Sequence, residues 1–198
     1  MWGEYMDRKL LEMEEYAKIN RVPIMLSDGI DYLTDYIKEH NIKNILELGS
    51  AIGYSAIKMA LARDDVTVTT VEKDIDRYNL AVSNIKSFNL DNRINIILGD
   101  ALECNIEQKY DLIFIDASKG HNIDFFIKYS KNLKNDGIII TDNLSFHGLV
   151  ENEELILTKN QRGIVKKIKK FIEFLDNNDE FITEYINVGD KLSLSRRR

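Results

Sequence analysis

Short apolar segments alternate with longer amphipathic segments along most of the chain. Residues 66–71 are β-branched at every position, which is typical of a buried strand. Runs of this kind predict seven strands, at residues 44–49, 66–71, 94–98, 111–115, 137–141, 182–188 and 192–195. Apolar residues at helical spacing predict helices at residues 4–19, 55–63, 74–88, 122–133 and around 164–175.

The order of these elements predicts the sheet. Near-continuous apolar strands separated by helices form a parallel sheet that is covered on both faces. The last two strands are joined by a tight turn containing Gly189 and Asp190, and so short a connection permits only an antiparallel pair. We therefore predict an α/β fold with a Rossmann-like, doubly wound sheet of seven strands, mostly parallel, with one reversed strand near the C-terminus. A single domain, 1–198, would comprise an N-terminal helix, 1–20, and a body, 21–198.

Composition and charge exclude several classes of protein. The 198 residues are 44% hydrophobic and carry a net charge of −6, which argues against disorder and against a DNA-coating protein. Cys104 is the only cysteine, so no internal disulfide can form. No apolar run approaches the ~18 residues that span a bilayer. We expect a cytoplasmic protein without a DNA or membrane partner. Residues 159–198 carry 10 basic and 6 acidic side chains, which hints at another anionic partner.

Glycines and acidic residues end the first three predicted strands. Gly49 and Gly53 are spaced G-x-x-x-G, so this turn can pass close to a ligand and point backbone N–H groups at it. Glu72 ends the second strand, where a carboxylate can accept hydrogen bonds from both ribose hydroxyls. Asp100 follows the third strand and can accept from an adenine amino group. Because ligands bind beyond the carboxyl ends of such strands, these residues predict a site for an adenosine-containing cofactor.

Oxygen-bearing side chains end the next two strands. Asp116 follows the fourth strand, and Asp142 and Asn143 follow the fifth. Two carboxylates and an amide oxygen, without His or Cys, are hard ligands that suit Mg²⁺ or Mn²⁺ rather than zinc. Lys119 lies three residues after Asp116 and is a candidate base for the proton of a hydroxyl held by the metal. Asp116 and Lys119 are the candidate catalytic residues.

These motifs also carry a family resemblance. Residues 46–55, Glu72 and residues 99–101 resemble the S-adenosylmethionine site of class I methyltransferases. Over roughly residues 22–195 the sequence resembles the cation-dependent, catechol-type O-methyltransferases. The resemblance implies that Glu72 binds the ribose and Ser55 the methionyl carboxylate. It implies a cofactor site at Val22, Glu47, Gly49, Gly53, Tyr54, Ser55, Glu72, Asp100, Ala101 and Asp116, and metal ligands at Asp116, Asp142 and Asn143.

The metal site does not decide the substrate, because a catechol and 5-hydroxyuracil both offer two adjacent oxygens to a metal. Residues 21–25, 52–57 and 142–150 look most like the bacterial tRNA 5-hydroxyuridine methyltransferases, which complete the wobble base 5-methoxyuridine. This resemblance implies an anticodon stem-loop as partner. The alternative is a small-molecule catechol or caffeoyl-CoA-like O-methyltransferase. Family members often form homodimers, and we expect one here.

A basic C-terminal helix fits the RNA interpretation, because lysine and arginine side chains contact phosphates. The same cations would also suit the solvated face of an amphipathic helix. The candidate RNA-binding residues are Arg162, Lys166, Lys169 and Lys170.

Overall fold

The computed structural model describes residues 2–198, which form six α-helices and seven strands. The helices are α1 (Trp2–Asn20), α2 (Ser27–Glu39), α3 (Tyr54–Leu61), α4 (Ile75–Ser87), α5 (Asn122–Ser130) and α6 (Lys159–Asp176). The strands are β1 (Asn44–Leu48), β2 (Thr67–Glu72), β3 (Ile94–Leu98), β4 (Tyr110–Ile115), β5 (Leu133–Thr141), β6 (Phe181–Ile186) and β7 (Leu192–Arg197). Within this part of the chain, no helix is both long and apolar enough to cross a membrane.

The strands form one sheet in the order β3-β2-β1-β4-β5-β7-β6. All neighbouring pairs are parallel except those of β7, which is antiparallel to both β5 and β6. The prediction of a seven-stranded, doubly wound sheet with one reversed strand is confirmed. In the register, Leu48 lies beside both Val71 and Ile115, and Ile115 lies beside Thr141. The carboxyl ends of four strands therefore meet along one edge.

Alternate side chains of each strand point to opposite faces of the sheet, so the interior consists of two hydrophobic cores. On one face, Ile45 packs with helix residues such as Ile37 and Ile57. On the other face, Leu46 and Leu48 belong to the core that contains Phe126. Strand periodicity consequently directs Glu47, between those two leucines, toward the helix α3 side of the sheet.

The N-terminal helix packs on the first of these cores. Met13 and Ala17 are only 6% and 2% exposed. Met6 and Leu10 pack against the same core from less buried positions. Residues of α1 therefore belong to the same folded unit as the sheet.

Helix α2 was not predicted, and several element boundaries differ from the prediction. The clearest case is the passage from α5 to β5. Helix α5 ends at Ser130 rather than at residue 133, and β5 begins at Leu133 rather than at residue 137. The reason is that Leu133 pairs with Tyr110 on β4, so the chain enters the sheet early and continues through an irregular register. Gly137 permits this path, because a Cβ there would lie 2.8 Å from the Leu133 side chain.

Candidate active site

A cavity of about 350 Å³ opens at the carboxyl ends of the strands. One wall is formed by the turn after β1 and by the residues that follow β2 and β3. The other wall is formed by the residues that follow β4 and β5. The predicted cofactor residues that line the cavity are Gly49, Tyr54, Ser55, Glu72, Asp100, Ala101 and Asp116. Lys119, Asp142 and Asn143 line it as well.

The glycine turn brings the backbone of β1 close to the end of β4. Gly49 has φ +95°, and a Cβ at this position would lie 2.6 Å from the carbonyl oxygen of Asp116. Any side chain at Gly49 would therefore push the two strand ends apart. Gly53 begins helix α3 with φ +83°, also in the left-handed region. The two glycines thus allow neighbouring segments of the protein to approach closely, and the predicted approach of this turn to a ligand stays a prediction.

Glu72 is held by the backbone of both adjacent loops. Its Oε2 accepts a hydrogen bond from the Ala51 N–H at 2.8 Å, and its Oε1 accepts one from the Asp74 N–H at 2.9 Å. The side chain is 6% exposed. Asp100 is fixed similarly, because its Oδ1 accepts from the Leu102 N–H at 2.9 Å. Both carboxylates have a fixed orientation at the wall of the cavity.

Glu47 is completely buried beneath the cavity. It accepts hydrogen bonds from Ser55 Oγ and Thr70 Oγ1, each at 2.5 Å. Burial raises the pKa of Glu47 to about 7, although the two hydroxyl donors oppose that rise. Among the described residues, Ser55 lines the cavity and Glu47 does not. The structure therefore places Glu47 so that it orients Ser55 from below.

Two further predicted cofactor residues, Val22 and Gly53, also lie outside the lining of this cavity in the described chain. Val22 borders a more open groove next to it, and the neighbouring Pro23 belongs to both. Gly53 contributes its backbone conformation rather than a surface. These positions frame the site and leave the predicted contacts to the cofactor untested.

Tyr54 connects the cavity to the N-terminal helix. Its hydroxyl donates a hydrogen bond to Glu14 Oε1 at 2.5 Å, and the side chain is 3% exposed. Burial raises the pKa of Tyr54, and the hydrogen bond to the Glu14 carboxylate adds to this effect. Sequence reasoning missed Glu14, because 40 residues separate the two partners.

Asp116 and Asp142 lie on adjacent strand ends, as predicted. The Asp142 N–H donates to the carbonyl oxygen of Ile115 at 3.1 Å, which continues the β4–β5 pairing up to the cavity. Burial and then the charge of Asp142 raise the pKa of Asp116, and Lys119 partly opposes this. Burial raises the pKa of Asp142 to about 6, even though the Asn143 N–H donates to its Oδ1 at 2.6 Å. Burial thus disfavours the ionised form of both carboxyl groups, and the charge of Lys119 opposes this effect at each of them.

The segment after β5 has an unusual backbone. Asn143, Phe146 and His147 all have positive φ values, between 50° and 66°. Such conformations cost of order 1 kcal/mol or more each and persist where the surroundings enforce them. Phe146 faces Lys119, whose Nζ lies 6.0 Å from the centre of the Phe146 ring. The strained segment therefore borders both the predicted metal ligands and the predicted base.

Comparisons with known proteins agree with this geometry. The family model described as O-methyltransferase matches residues 5–198.

The chain belongs to the O-methyltransferase family.

Three proteins illustrate the range of similarity. Tapetum-specific methyltransferase 1 of Arabidopsis thaliana is 30% identical over 192 residues, which cover 93% of this chain and 82% of that protein. Caffeoyl-CoA O-methyltransferase of Populus kitakamiensis is 28% identical, with the same coverage of both chains. A crystal structure from Staphylococcus aureus, provisionally named a caffeoyl-CoA O-methyltransferase, has a TM-score of 0.91 and 36% identity. It covers 96% of this chain and 92% of its own.

Family membership indicates which cofactor this enzyme uses. The class I fold of this family uses S-adenosylmethionine, so this chain is an S-adenosylmethionine-dependent O-methyltransferase. The wall with Glu72, Asp100 and the glycine turn is called the adenosine half, after the ligand predicted for it. The wall with Asp116, Lys119, Asp142 and Asn143 is called the metal half, after its predicted cation.

The predicted RNA-binding residues lie outside the cavity of this O-methyltransferase. Arg162, Lys166, Lys169 and Lys170 are exposed on helix α6. Lys169 forms an ion pair with Glu153, in the turn of 3₁₀ helix that precedes α6. The predicted RNA contacts are not tested by this arrangement, and they remain a prediction.

Proposed function

We propose that this enzyme methylates one of two adjacent hydroxyl groups on a catechol-type small molecule. Mg²⁺ or Mn²⁺ would be the resident cation. The observation that carries the proposal is the meeting of the adenosine half and the metal half in one cavity of about 350 Å³. The relatives from Populus kitakamiensis and Staphylococcus aureus that carry the caffeoyl-CoA O-methyltransferase name favour a catechol-type acceptor.

The side chains of the metal half fit a hard divalent cation. Asp116 and Asp142 are acidic neighbours whose pKa values are raised, and a cation between them would relieve this. No set of three or more His, Cys, Asp or Glu side chains in residues 2–198 is arranged to hold a metal, so the amide oxygen of Asn143 would complete the ligands. A bound Mg²⁺ would supply positive charge that favours the ionised form of a substrate hydroxyl.

The remaining chemistry belongs to residues of the chain. Lys119 accepts the hydroxyl proton on its Nζ when that nitrogen is the neutral amine, and the resulting oxygen anion attacks the methyl carbon. An oxygen–carbon bond forms while the carbon–sulfur bond breaks, and S-adenosylhomocysteine leaves. Glu72 and the turn at Gly49 hold the cofactor, so that methyl group and oxygen are aligned. Alignment of this kind can supply several kcal/mol, up to about 7–11 kcal/mol, of the barrier reduction.

The test is methyl transfer to caffeic acid in the presence of Mg²⁺, with p-coumaric acid as the matched control. The two compounds differ by one ring hydroxyl, so only caffeic acid offers two adjacent oxygens. We expect methylated caffeic acid by mass spectrometry, its loss with EDTA and no product from p-coumaric acid. Equal methylation of both acids, or no transfer to caffeic acid or caffeoyl-CoA, would refute the proposal.

A second candidate substrate is 5-hydroxyuridine at the tRNA wobble position, converted to 5-methoxyuridine. One observation favours it. Lys167 of α6 reaches toward the cavity, because its Nζ lies 2.9 Å from where a Cβ of Gly120 would stand. Gly120 sits between Lys119 and His121, which both line the cavity. The basic face of α6 would thus lie where phosphates of an anticodon stem-loop could contact it.

An anticodon stem-loop containing 5-hydroxyuridine, beside the same RNA with uridine, tests this candidate. We expect transfer only to the hydroxylated RNA and a KM that rises with salt. Lys170→Ala and Arg162→Ala should raise the KM for RNA and leave the KM for caffeic acid unchanged. Transfer to caffeic acid alone would exclude the RNA substrate and retain the first proposal.

A further inference from the structure

A third buried carboxylate lies behind the metal half. Asp190 is in the turn between β6 and β7, and it is 4% exposed. Its Oδ1 accepts a hydrogen bond from the His147 N–H at 2.6 Å. Its Oδ2 is buried and has no hydrogen-bond partner within residues 2–198. A buried carboxylate oxygen without a partner is unfavourable, so it requires an explanation.

The turn that carries Asp190 holds the strained segment after β5. The Ser145 N–H donates to the carbonyl oxygen of Asp190 at 2.9 Å, and the Leu144 N–H donates to that of Lys191 at 3.0 Å. Together with the bond from His147, these contacts enforce the left-handed conformations that follow Asn143. Asp190 therefore acts on the backbone that presents a predicted metal ligand.

The basic side chains nearby make no hydrogen bond to Asp190 Oδ2 in residues 2–198. His147 Nδ1 lies 3.9 Å from Oδ2, beyond hydrogen-bond distance, and its side chain is 72% exposed. Lys191 Nζ instead contacts Glu151 Oε1 at 3.2 Å. Asp142 is buried as well, at 3% exposure, and it immediately precedes Asn143 in the segment that this turn holds. Asp190 is therefore an acidic side chain behind the metal half, whereas Asp116 and Asp142 line the cavity.

We propose that Asp190 is a positioning residue for the divalent cation. Its Oδ1 fixes the segment that presents Asn143, and its negative charge strengthens the attraction of the Asp116–Asp142 pair for the ion. This inference rests on the cation of the proposed function, but not on the identity of the methyl acceptor. Replacing a residue that supports a direct metal ligand typically lowers the affinity of the site for the metal by about 10–100-fold.

The experiment measures binding of Mn²⁺ alone to the full chain, by the electron paramagnetic resonance signal of the free ion. Asp190→Asn removes the charge and keeps an oxygen for the His147 N–H. We expect its Kd for Mn²⁺ to rise by about tenfold. The Kd for S-adenosylhomocysteine, measured by calorimetry, should remain within about twofold, because this ligand would occupy the other half of the cavity. A merely structural role would weaken both or neither.

Asp28→Asn is the matched control. The Asp28 carboxylate accepts from the Gly189 N–H at 3.0 Å, so it binds the same turn from its exposed side. Its replacement should leave the Kd for Mn²⁺ unchanged. Asp190→Glu keeps the charge and should bind Mn²⁺ more tightly than Asp190→Asn does.

The outcomes separate this inference from the proposed function. Unchanged Mn²⁺ binding by Asp190→Asn would overturn the role of Asp190 and leave the metal in place. If the unaltered enzyme did not bind Mn²⁺, the proposal of a divalent cation site would itself be refuted. If neither Asp190 variant folds, the carboxylate serves the fold rather than the ion, and the inference is overturned.

Discussion

The adenosine half and the metal half of the cavity differ in how their carboxylates are satisfied. Both oxygens of Glu72 already accept backbone N–H groups, and Asp100 accepts one as well. In the metal half, burial raises the pKa of both Asp116 and Asp142, and the charge of Asp142 adds to the rise at Asp116. Asp190 Oδ2 has no hydrogen-bond partner among the described residues. The backbone thus satisfies the carboxylates of the first half, whereas the proposed cation would stabilise those of the second half.

The backbone shows the same contrast. In the adenosine half two of the three left-handed positions are the glycines Gly49 and Gly53, which adopt them without strain, and Ala51 is the third. In the metal half Asn143, Phe146 and His147 adopt left-handed conformations with side chains. The metal half therefore stores more backbone strain than the adenosine half. This comparison can be tested residue by residue.

The largest difference between the two halves should appear when two lysines that line the same cavity are replaced in turn. Lys119→Ala removes the proposed proton acceptor of the metal half, so kcat should fall about 10²–10⁴-fold. The Kd for S-adenosylmethionine should change little. Lys73→Ala, in the adenosine half, should weaken cofactor binding and leave kcat within a few-fold. Steady-state kinetics and calorimetry with both variants measure the difference. An unchanged kcat in Lys119→Ala would remove that lysine from the chemistry.

A smaller effect concerns stability without metal. A carboxyl whose folded pKa is raised destabilises the fold once it ionises, so Asp142 lowers stability as the pH rises from about 4 through 6. Asp142→Asn should therefore stabilise the protein at pH 7.5 in EDTA by about 2 kcal/mol. Glu72→Gln should destabilise it by about 1–2 kcal/mol, because a backbone N–H loses its acceptor.

The free energy of unfolding by urea, measured in EDTA and in Mn²⁺, checks these opposite changes in stability. Saturating Mn²⁺ should reverse the order of wild type and Asp142→Asn, because only the wild type keeps both carboxylate ligands. Stabilisation by both substitutions, or by neither, would mean that the two halves do not differ in this way.

The contrast between the halves also explains what could be read from the sequence. Each residue of the adenosine half follows a strand directly, so the alternation of strands and helices together with parallel pairing places Gly49, Glu72 and Asp100 at one edge. The same reasoning correctly brought Asp116 beside Asp142. The confirmed prediction of a seven-stranded, mostly parallel sheet with one reversed strand followed from the apolar runs and the short β6–β7 turn.

The parts that sequence reasoning missed depend on contacts between distant segments. Asp190 meets His147 across 43 residues, and Glu14 meets Tyr54 across 40. Their partners are a backbone N–H and a hydroxyl, which leave no spacing pattern. The early start of β5 at Leu133 was missed for a similar reason, because the pairing with Tyr110 overrides the local helical pattern. Homodimer formation and the RNA contacts stay predictions.

The smallest effect tests whether the adenosine half is held from outside the cavity. Tyr54→Phe removes the hydrogen bond to Glu14 and keeps the aromatic ring at the wall. One such bond contributes about 1 kcal/mol, or about fivefold in affinity if the bond orients the ring for the cofactor. We expect the Kd for S-adenosylmethionine to rise by about that factor, with kcat and Mn²⁺ affinity unchanged. Glu14→Gln keeps an acceptor for the Tyr54 hydroxyl and should have a smaller effect. A fall in kcat without a change in Kd would show that α1 acts on the metal half instead, and that the two halves are not independent.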